Sequence, residues 1–317
     1  MYNGSSISDF ILIGLSNPPE FRILLFSIIL LMYFIAICGN LLILFITNFD
    51  ASLNTPMYYF LSNLSVLDVI CTTSTVPKML FNVISQQKTI SFNGCILQMF
   101  VFTVGMDTEF LLLTFMSLDR YLAICNPLRY TSIMSKKSCI LMSVVVWTFG
   151  FSSSTFHSSS TLWMSFCGPR KINHFFCEVP QVLALSCTDI SLNKSVLIVT
   201  DLILGLICII LIFISYVFII LAILNIRSTE GKKKAFSTCA SHITVVLLFY
   251  GTLIFAYFKP SDDSSDMDKE IAVFYTIVIP MLNPILYSLR NKEVKASIQK
   301  SILRKIHFNT NSRSVLP

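Results

Sequence analysis

Asp119, Arg120 and Tyr121 stand near the end of a long apolar stretch, in the segment MSLDRYLAIC (116–125), with Lys136 and Lys137 just beyond. A carboxylate beside a guanidinium supplies no nucleophile, but the guanidinium can pair with Asp119 or exchange it for partners on another protein. That is the chemistry of a switch. Asp68, Asp107 and Glu109 are further ionisable groups inside apolar stretches; in a membrane such groups are costly and usually face the interior of a helix bundle. His174, Cys177 and Glu178 form H-x-x-C-E, a spacing that can bind copper or zinc unless Cys177 is consumed by a disulfide. The remaining histidines, His157, His242 and His307, are scattered without ligand spacing. With no nucleophile set beside a base, these residues do not describe an enzyme.

Membrane helices must position these groups. Of 317 residues, 54% are hydrophobic and only 13% charged, and the mean hydropathy is +0.74, more apolar than a soluble domain of this length. A bilayer core of roughly 30 Å needs about 20 apolar residues rising about 1.5 Å each. Seven stretches meet that need, at about 23-47, 57-82, 96-121, 139-161, 196-226, 236-258 and 271-289. Several contain Pro77, Gly105, Gly205, Pro280 or Pro284, which membrane helices tolerate because neighbours satisfy the freed backbone groups. The expected fold is an all-α membrane protein, a seven-transmembrane helix bundle over 23-289. Residues 1-22 precede it and a tail, 290-317, follows, with no separate soluble domain.

Lys and Arg in short loops are retained on the cytoplasmic side. With seven spans and an outside N-terminus, about 15 basic residues face in and about 7 face out, the latter including Lys194 and Lys269. The expected location is therefore the plasma membrane, multi-pass, with an extracellular N-terminus. Residues 1-22 lack a signal-peptide pattern, so the first helix is expected to act as an uncleaved anchor. The net charge of +6 then reflects topology and the lipid bilayer rather than nucleic acid. Asn3 and Asn193 open glycosylation sequons on the outer side, Asn3 being the stronger candidate. Cys95, Cys167, Cys177 and Cys187 lie outside, where disulfides persist. Four cysteines allow three pairings.

The motifs resemble one family. Gly39-Asn40, PMYYFLSNLSVLD (56–68), MSLDRYLAIC (116–125), Ser215-Tyr216, KAFSTCASH (234–242) and PMLNPILYSLRN (280–291) together are similar to vertebrate olfactory receptors of the tetrapod type, within the rhodopsin-like G-protein-coupled receptors. Ser117-Leu118 replace the family's usual Ala-Tyr, and Asn54 its frequent His. The resemblance implies disulfides Cys95–Cys177 and Cys167–Cys187. It implies that Asp119, Arg120, Tyr121, Tyr216, His242 and Tyr287 form the G-protein-facing switch. The implied partner is a stimulatory, olfactory-type heterotrimeric G protein that raises cyclic AMP through adenylyl cyclase. A non-olfactory chemosensor in another tissue is the second reading; a transporter or channel is a remote third, since no internal repeat is present.

The resemblance also places a cavity for a small-molecule odorant in the outer half of the bundle. Thr103, Met106, Asp107 and Phe110 fall on one face of helix 3, with Phe102 at its border, and Tyr250, Leu253, Ile254 and Tyr257 share that spacing on helix 6. Thr200, Asp201 and Leu204 join from helix 5, and Val273 and Thr276 from helix 7. Such a cavity suits small, volatile, mostly apolar ligands. Asp107 is expected either to touch the ligand, as donor or as counter-ion to an amine, or to bond between helices.

Asp68 and Glu109 each lie roughly 17 Å above the inner boundary, so they share a level. Two carboxylates at one depth do not both ionise cheaply without a shared proton or cation. With Asn40 and Asn283 they are expected to hold sodium or water, or else to form a structural polar core. No other cofactor is expected. Val294, Ile298, Ile302, Leu303 and Ile306 among basic residues suggest a short amphipathic C-terminal helix on the inner leaflet.

Overall fold

The computed structural model describes residues 9–15, 19–85, 88–258, 265–289 and 294. In chain order its helices are α1 (Arg22–Phe49), α2 (Pro56–Ile84), α3 (Phe92–Cys125), the short α4 (Pro127–Ile133), α5 (Lys136–Leu162) and the short α6 (Val179–Leu183). They continue with α7 (Ser191–Leu197), α8 (Leu204–Asn225), α9 (Thr229–Phe258), α10 (Ser265–Val273) and α11 (Ile279–Leu289). Counting α7–α8 and α10–α11 as one span each, seven are long and apolar enough to cross a membrane. Of the expected amphipathic tail helix only Val294 is described, buried with the interior core; its other residues and Asn3 lie outside the described residues.

The helices run past the apolar stretches because capping residues are polar. Ser91 Oγ accepts from the Gly94 N–H at 3.1 Å ahead of α3, and Ser135 Oγ from the Ser138 N–H at 3.3 Å ahead of α5, each satisfying an orphan donor. Pro56 and Pro127 stand in the first turns of α2 and α4, where a missing N–H is harmless. Two π-helical turns, Ile198–Ile203 and Phe274–Val278, interrupt the fifth and seventh spans. Such a turn adds a residue and rotates every face beyond it.

Packing follows the split between small and large residues. A Cβ on Gly39 would come within 2.7 Å of Pro284 Cγ, so only glycine lets α1 approach α11 this closely. Phe60, Leu64, Leu112, Leu113, Met116 and Phe249 form the interior core. Phe34, Phe213, Leu224 and Leu247 point outward, which in water would be an aggregation hazard and in lipid is the required surface.

One end of the bundle carries a small sheet that the apolar pattern does not announce. Strand β1 (Phe10–Leu12) lies between β2 (Thr89–Ile90), antiparallel, and β3 (Lys171–Ile172), parallel. Phe10 is fully buried against Phe92 and Phe166, with ring centroids 5.9 and 5.4 Å away. This cap end is opposite the end bearing Arg120.

Candidate functional site

Both implied disulfides are present: Cys95–Cys177 and Cys167–Cys187, with Cα separations of 5.4 and 5.8 Å. The first pins the α5–α7 connection onto α3, and Gln98 Oε1 accepts from the Cys177 N–H at 2.9 Å. The connection thereby folds over the bundle and forms part of the wall of a cavity of about 200 Å³.

Phe102, Thr103, Met106 and Phe110 of α3 line this cavity, joined by Asp201 from the π-turn of the fifth span and Leu253 of α9. The expected face of α3 is therefore on the wall, with one exception. Asp107 is 0% exposed and absent from the lining; Ser153 of α5 faces it without completing a hydrogen bond to either carboxylate oxygen. Several other expected contacts also lie off the wall. Ile254 is 49% exposed on the outer surface, because it stands about 100° around α9 from Leu253. Thr200 donates to Asp201 Oδ1 at 2.9 Å and has His157 Nε2 at 3.4 Å, while Leu204 packs into the interior core. Tyr250 is one layer deeper, its ring 5.7 Å from Phe110. Val273 packs with Phe102 and Phe176, and Thr276 donates to the Ala272 carbonyl at 2.6 Å. The Tyr257 side chain is outside the described residues.

The rest of the wall comes from positions that helical spacing does not flag: His174, Glu178, Val179, Pro180 and Gln181 from the pinned connection, Ala256 of α9, and Asp268, Ile271 and Tyr275 of the seventh span. The H-x-x-C-E spacing was the available signal, read through the disulfide rather than through metal. With Cys177 bonded to Cys95, its thiolate is unavailable, and among the described residues no group of His, Cys, Asp and Glu is arranged to hold a metal ion. The copper or zinc reading is thereby corrected. Burial, aided by the negative charge of Asp201, pushes the Glu178 carboxyl up to about 7, and Tyr275 Oη lies 3.4 Å from both its oxygens. Burial chiefly pushes His174 down to about 4; its ring stacks on Phe175 at 4.8 Å.

Lys269, one of the basic residues counted on the outer side, is 1% exposed. Asn193 is 7% exposed, with its Nδ2 donating to Ser160 Oγ at 2.7 Å, so the nitrogen that would carry a glycan is already closed off.

Midway down the bundle, Asn40, Asp68, Glu109 and Asn283 are all buried. Asn283 Nδ2 donates to Asp68 Oδ2 at 3.0 Å, and Asn40 Nδ2 to the Pro280 carbonyl at 3.0 Å. Asp68 lies close enough for its charge to bear on Glu109. Asn40 Oδ1, Asn283 Oδ1 and Glu109 Oε1, and Ser65 Oγ one turn before Asp68, are without a partner among the described residues; oxygen donors of this kind suit a hard cation.

At the far end, Asp119 is 1% exposed and Oδ1 accepts from Tyr130 Oη at 2.8 Å. The local partner of the carboxylate is thus a tyrosine of α4, with Arg120 alongside as a charge. Tyr121 packs its ring 6.0 Å from Phe218. Tyr216 Oη lies 2.7 Å from His242 Nδ1, and His242 Nε2 lies 3.1 Å from the Leu113 carbonyl. A carbonyl only accepts, so Nε2 carries the proton and Nδ1 accepts from the tyrosine. Tyr287 is buried beside this group with its hydroxyl unpartnered.

A seven-span bundle with a cavity at one end and, at the other, a buried Tyr216–His242 network beside Arg120 is built as a membrane receptor. The olfactory receptor family model matches residues 29–305. The chain is 45% identical to olfactory receptor 2G3 of Homo sapiens over 96% of its length and 99% of the relative. It is 48% identical to olfactory receptor 2S2 of Homo sapiens (95% and 97%) and 44% identical to olfactory receptor 5AP2 of Mus musculus (94% and 94%). The chain belongs to the olfactory receptor family: it is a multi-pass, G-protein-coupled odorant receptor and not an enzyme.

Proposed function

We propose that the cap-end cavity binds a small, volatile, mostly apolar odorant and that the Arg120 end then engages a stimulatory, olfactory-type G protein, raising cyclic AMP. In this reading the cap faces the extracellular side of the plasma membrane and the Arg120 end the cytoplasm, in keeping with the bias of about 15 basic residues against 7. The polar group around Asp68 and Glu109 holds a sodium ion, with Asn40 and Asn283 supplying further oxygens.

One observation carries the proposal. Phe110, on the cavity wall, packs its ring 5.2 Å from Phe249 of α9, and the same helix bonds Tyr216 and the Leu113 carbonyl through His242. One rigid helix thus touches the ligand space and the switch, the element a two-state coupling requires.

The test is cyclic AMP in a host cell lacking other odorant receptors, challenged with a broad panel of volatiles. Ligand-evoked cyclic AMP that disappears in Arg120→Ala at equal surface expression supports the reading; a response that survives this change, or an ion current in its place, overturns it.

A further inference from the structure

The cavity wall gathers more acidic groups than a container for neutral molecules needs. Glu178, Asp201 and Asp268 all reach its wall, and among the described residues no Lys or Arg does. Lys269 is the only Lys or Arg buried among the described residues; even full pairing of it with one acid leaves two carboxylates on the wall. Gathered around about 200 Å³, these acids disfavour one another's ionisation, and a positive guest relieves that where a neutral guest does not.

A second feature of the wall points the same way. His174 is 1% exposed and lines the same cavity, and its Nδ1 is without a hydrogen-bond partner among the described residues. Its buried imidazole is held neutral, so it adds no positive charge to the wall. The rings of Phe102, Phe110 and Tyr275 complete the wall, and aromatic faces attract cations. Carboxylates, a neutral imidazole and π-faces are all complementary to a donor-rich cation.

Resting on the odorant-receptor reading above, we infer that the ligands of this cavity are volatile amines, bound as ammonium ions by Glu178 and Asp201 beside His174, with their hydrocarbon body against Met106, Phe110 and Leu253. A desolvated ammonium needs paired carboxylates to be tolerated at all, and the cavity supplies them before the ligand arrives.

The test uses the purified full-length receptor in detergent and a panel of alkyl- and arylalkylamines, each matched to its isosteric alcohol, such as cyclohexylamine with cyclohexanol and 2-phenylethylamine with 2-phenylethanol. Ligand-induced thermal stabilisation is expected at concentrations about tenfold or more lower for amines than for their alcohols. Glu178→Gln and Asp201→Asn are expected to raise the amine concentration needed by about thirtyfold, as for loss of one member of a buried charge pair. Alcohols that match or exceed their amines, or no stabilisation by any amine, overturn the inference; the wild-type comparison decides even where a variant fails to fold. Stabilisation by amines without any cyclic AMP response in cells leaves this inference standing and overturns the signalling reading.

Discussion

The hydroxyl of Tyr216 donates to Nδ1 of His242 across 2.7 Å, and the Nε2–H of the same imidazole donates to the Leu113 carbonyl at 3.1 Å. Three spans, α3, α8 and α9, are therefore tied at one buried point, and the charge of Arg120 bears on both side chains.

Cutting that tie loosens the arrangement that keeps Arg120 on the protein's own side chains. Tyr216→Phe removes the donor and leaves a buried imidazole nitrogen unsatisfied, a loss of about 1 kcal/mol and so about fivefold in a conformational equilibrium. Basal cyclic AMP per receptor at the cell surface is expected to rise by about that factor. A basal level unchanged or lowered at equal expression would show that the tie does not restrain the switch.

The two disulfides are expected to differ in importance. Cys95–Cys177 closes a separation of 82 residues and Cys167–Cys187 one of 20, which loop-closure entropy turns into about 4–5 against about 3 kcal/mol. The longer bridge also sets Glu178, the next residue, on the cavity wall. Replacing Cys95 and Cys177 by Ala is expected to lower the thermal midpoint more and to abolish ligand response. Replacing Cys167 and Cys187 is expected to leave a weakened but responsive receptor. The reverse order of effects counts against this placement of the wall.

How much of this was legible in the sequence depended on whether the signal was local. The seven spans follow from apolar length, and the wall residues Phe102, Thr103, Met106 and Phe110 from helical spacing on α3. That spacing failed in the seventh span. There Val273 and Thr276 were the expected contacts, yet Ile271 and Tyr275 reach the wall, a pair at i and i+4 on a neighbouring face of the helix. His174 and Glu178 were visible as a motif but not as a lining, since the fold of an aperiodic connection is fixed by its bridge to Cys95 rather than by any repeat. Ile254 shows the limit from the other side: its spacing matches a lining face, but Leu253 already marks the inward direction.

Stability should depend on pH through Glu178 and His174 in opposite senses. Glu178 is raised from 4.5 to about 7, so the folded receptor binds its proton more tightly than the unfolded chain does. Its contribution is favourable below 4.5 and is lost as pH rises to 7. His174 is lowered from 6.5 to about 4, so its penalty is absent above 6.5 and grows as pH falls toward 4. Where the two ranges overlap, from 4.5 to 6.5, the slopes offset. Glu178→Gln removes one of them, so the thermal midpoint of the variant minus that of the unliganded wild type is expected to increase steadily from pH 4.5 to 7 and then level off. A difference that stays flat over this range, in detergent differential scanning fluorimetry, would remove Glu178 from the account.

The last prediction concerns the hub between cavity and switch. Asp68 and Glu109 are buried within reach of each other's charge, and oxygens on Asn40, Asn283 and Glu109, and on Ser65 one turn before Asp68, are without a partner among the described residues. A structural polar core would satisfy those oxygens internally, whereas a cation site leaves them open for the ion. If sodium occupies the hub and favours one conformation, coupling of at least about 1 kcal/mol gives about a fivefold effect on signalling. Basal or agonist-evoked cyclic AMP in the wild type is therefore expected to change by about that factor when extracellular sodium is exchanged for N-methylglucamine. Asp68→Asn combined with Glu109→Gln removes both charges while keeping the shapes, and is expected to abolish the sodium effect while leaving the receptor at the surface. A wild type indifferent to sodium, or a double variant that keeps the dependence, would show that the carboxylates share a proton or water instead, and that the hub is a structural bridge rather than an ion-sensitive one.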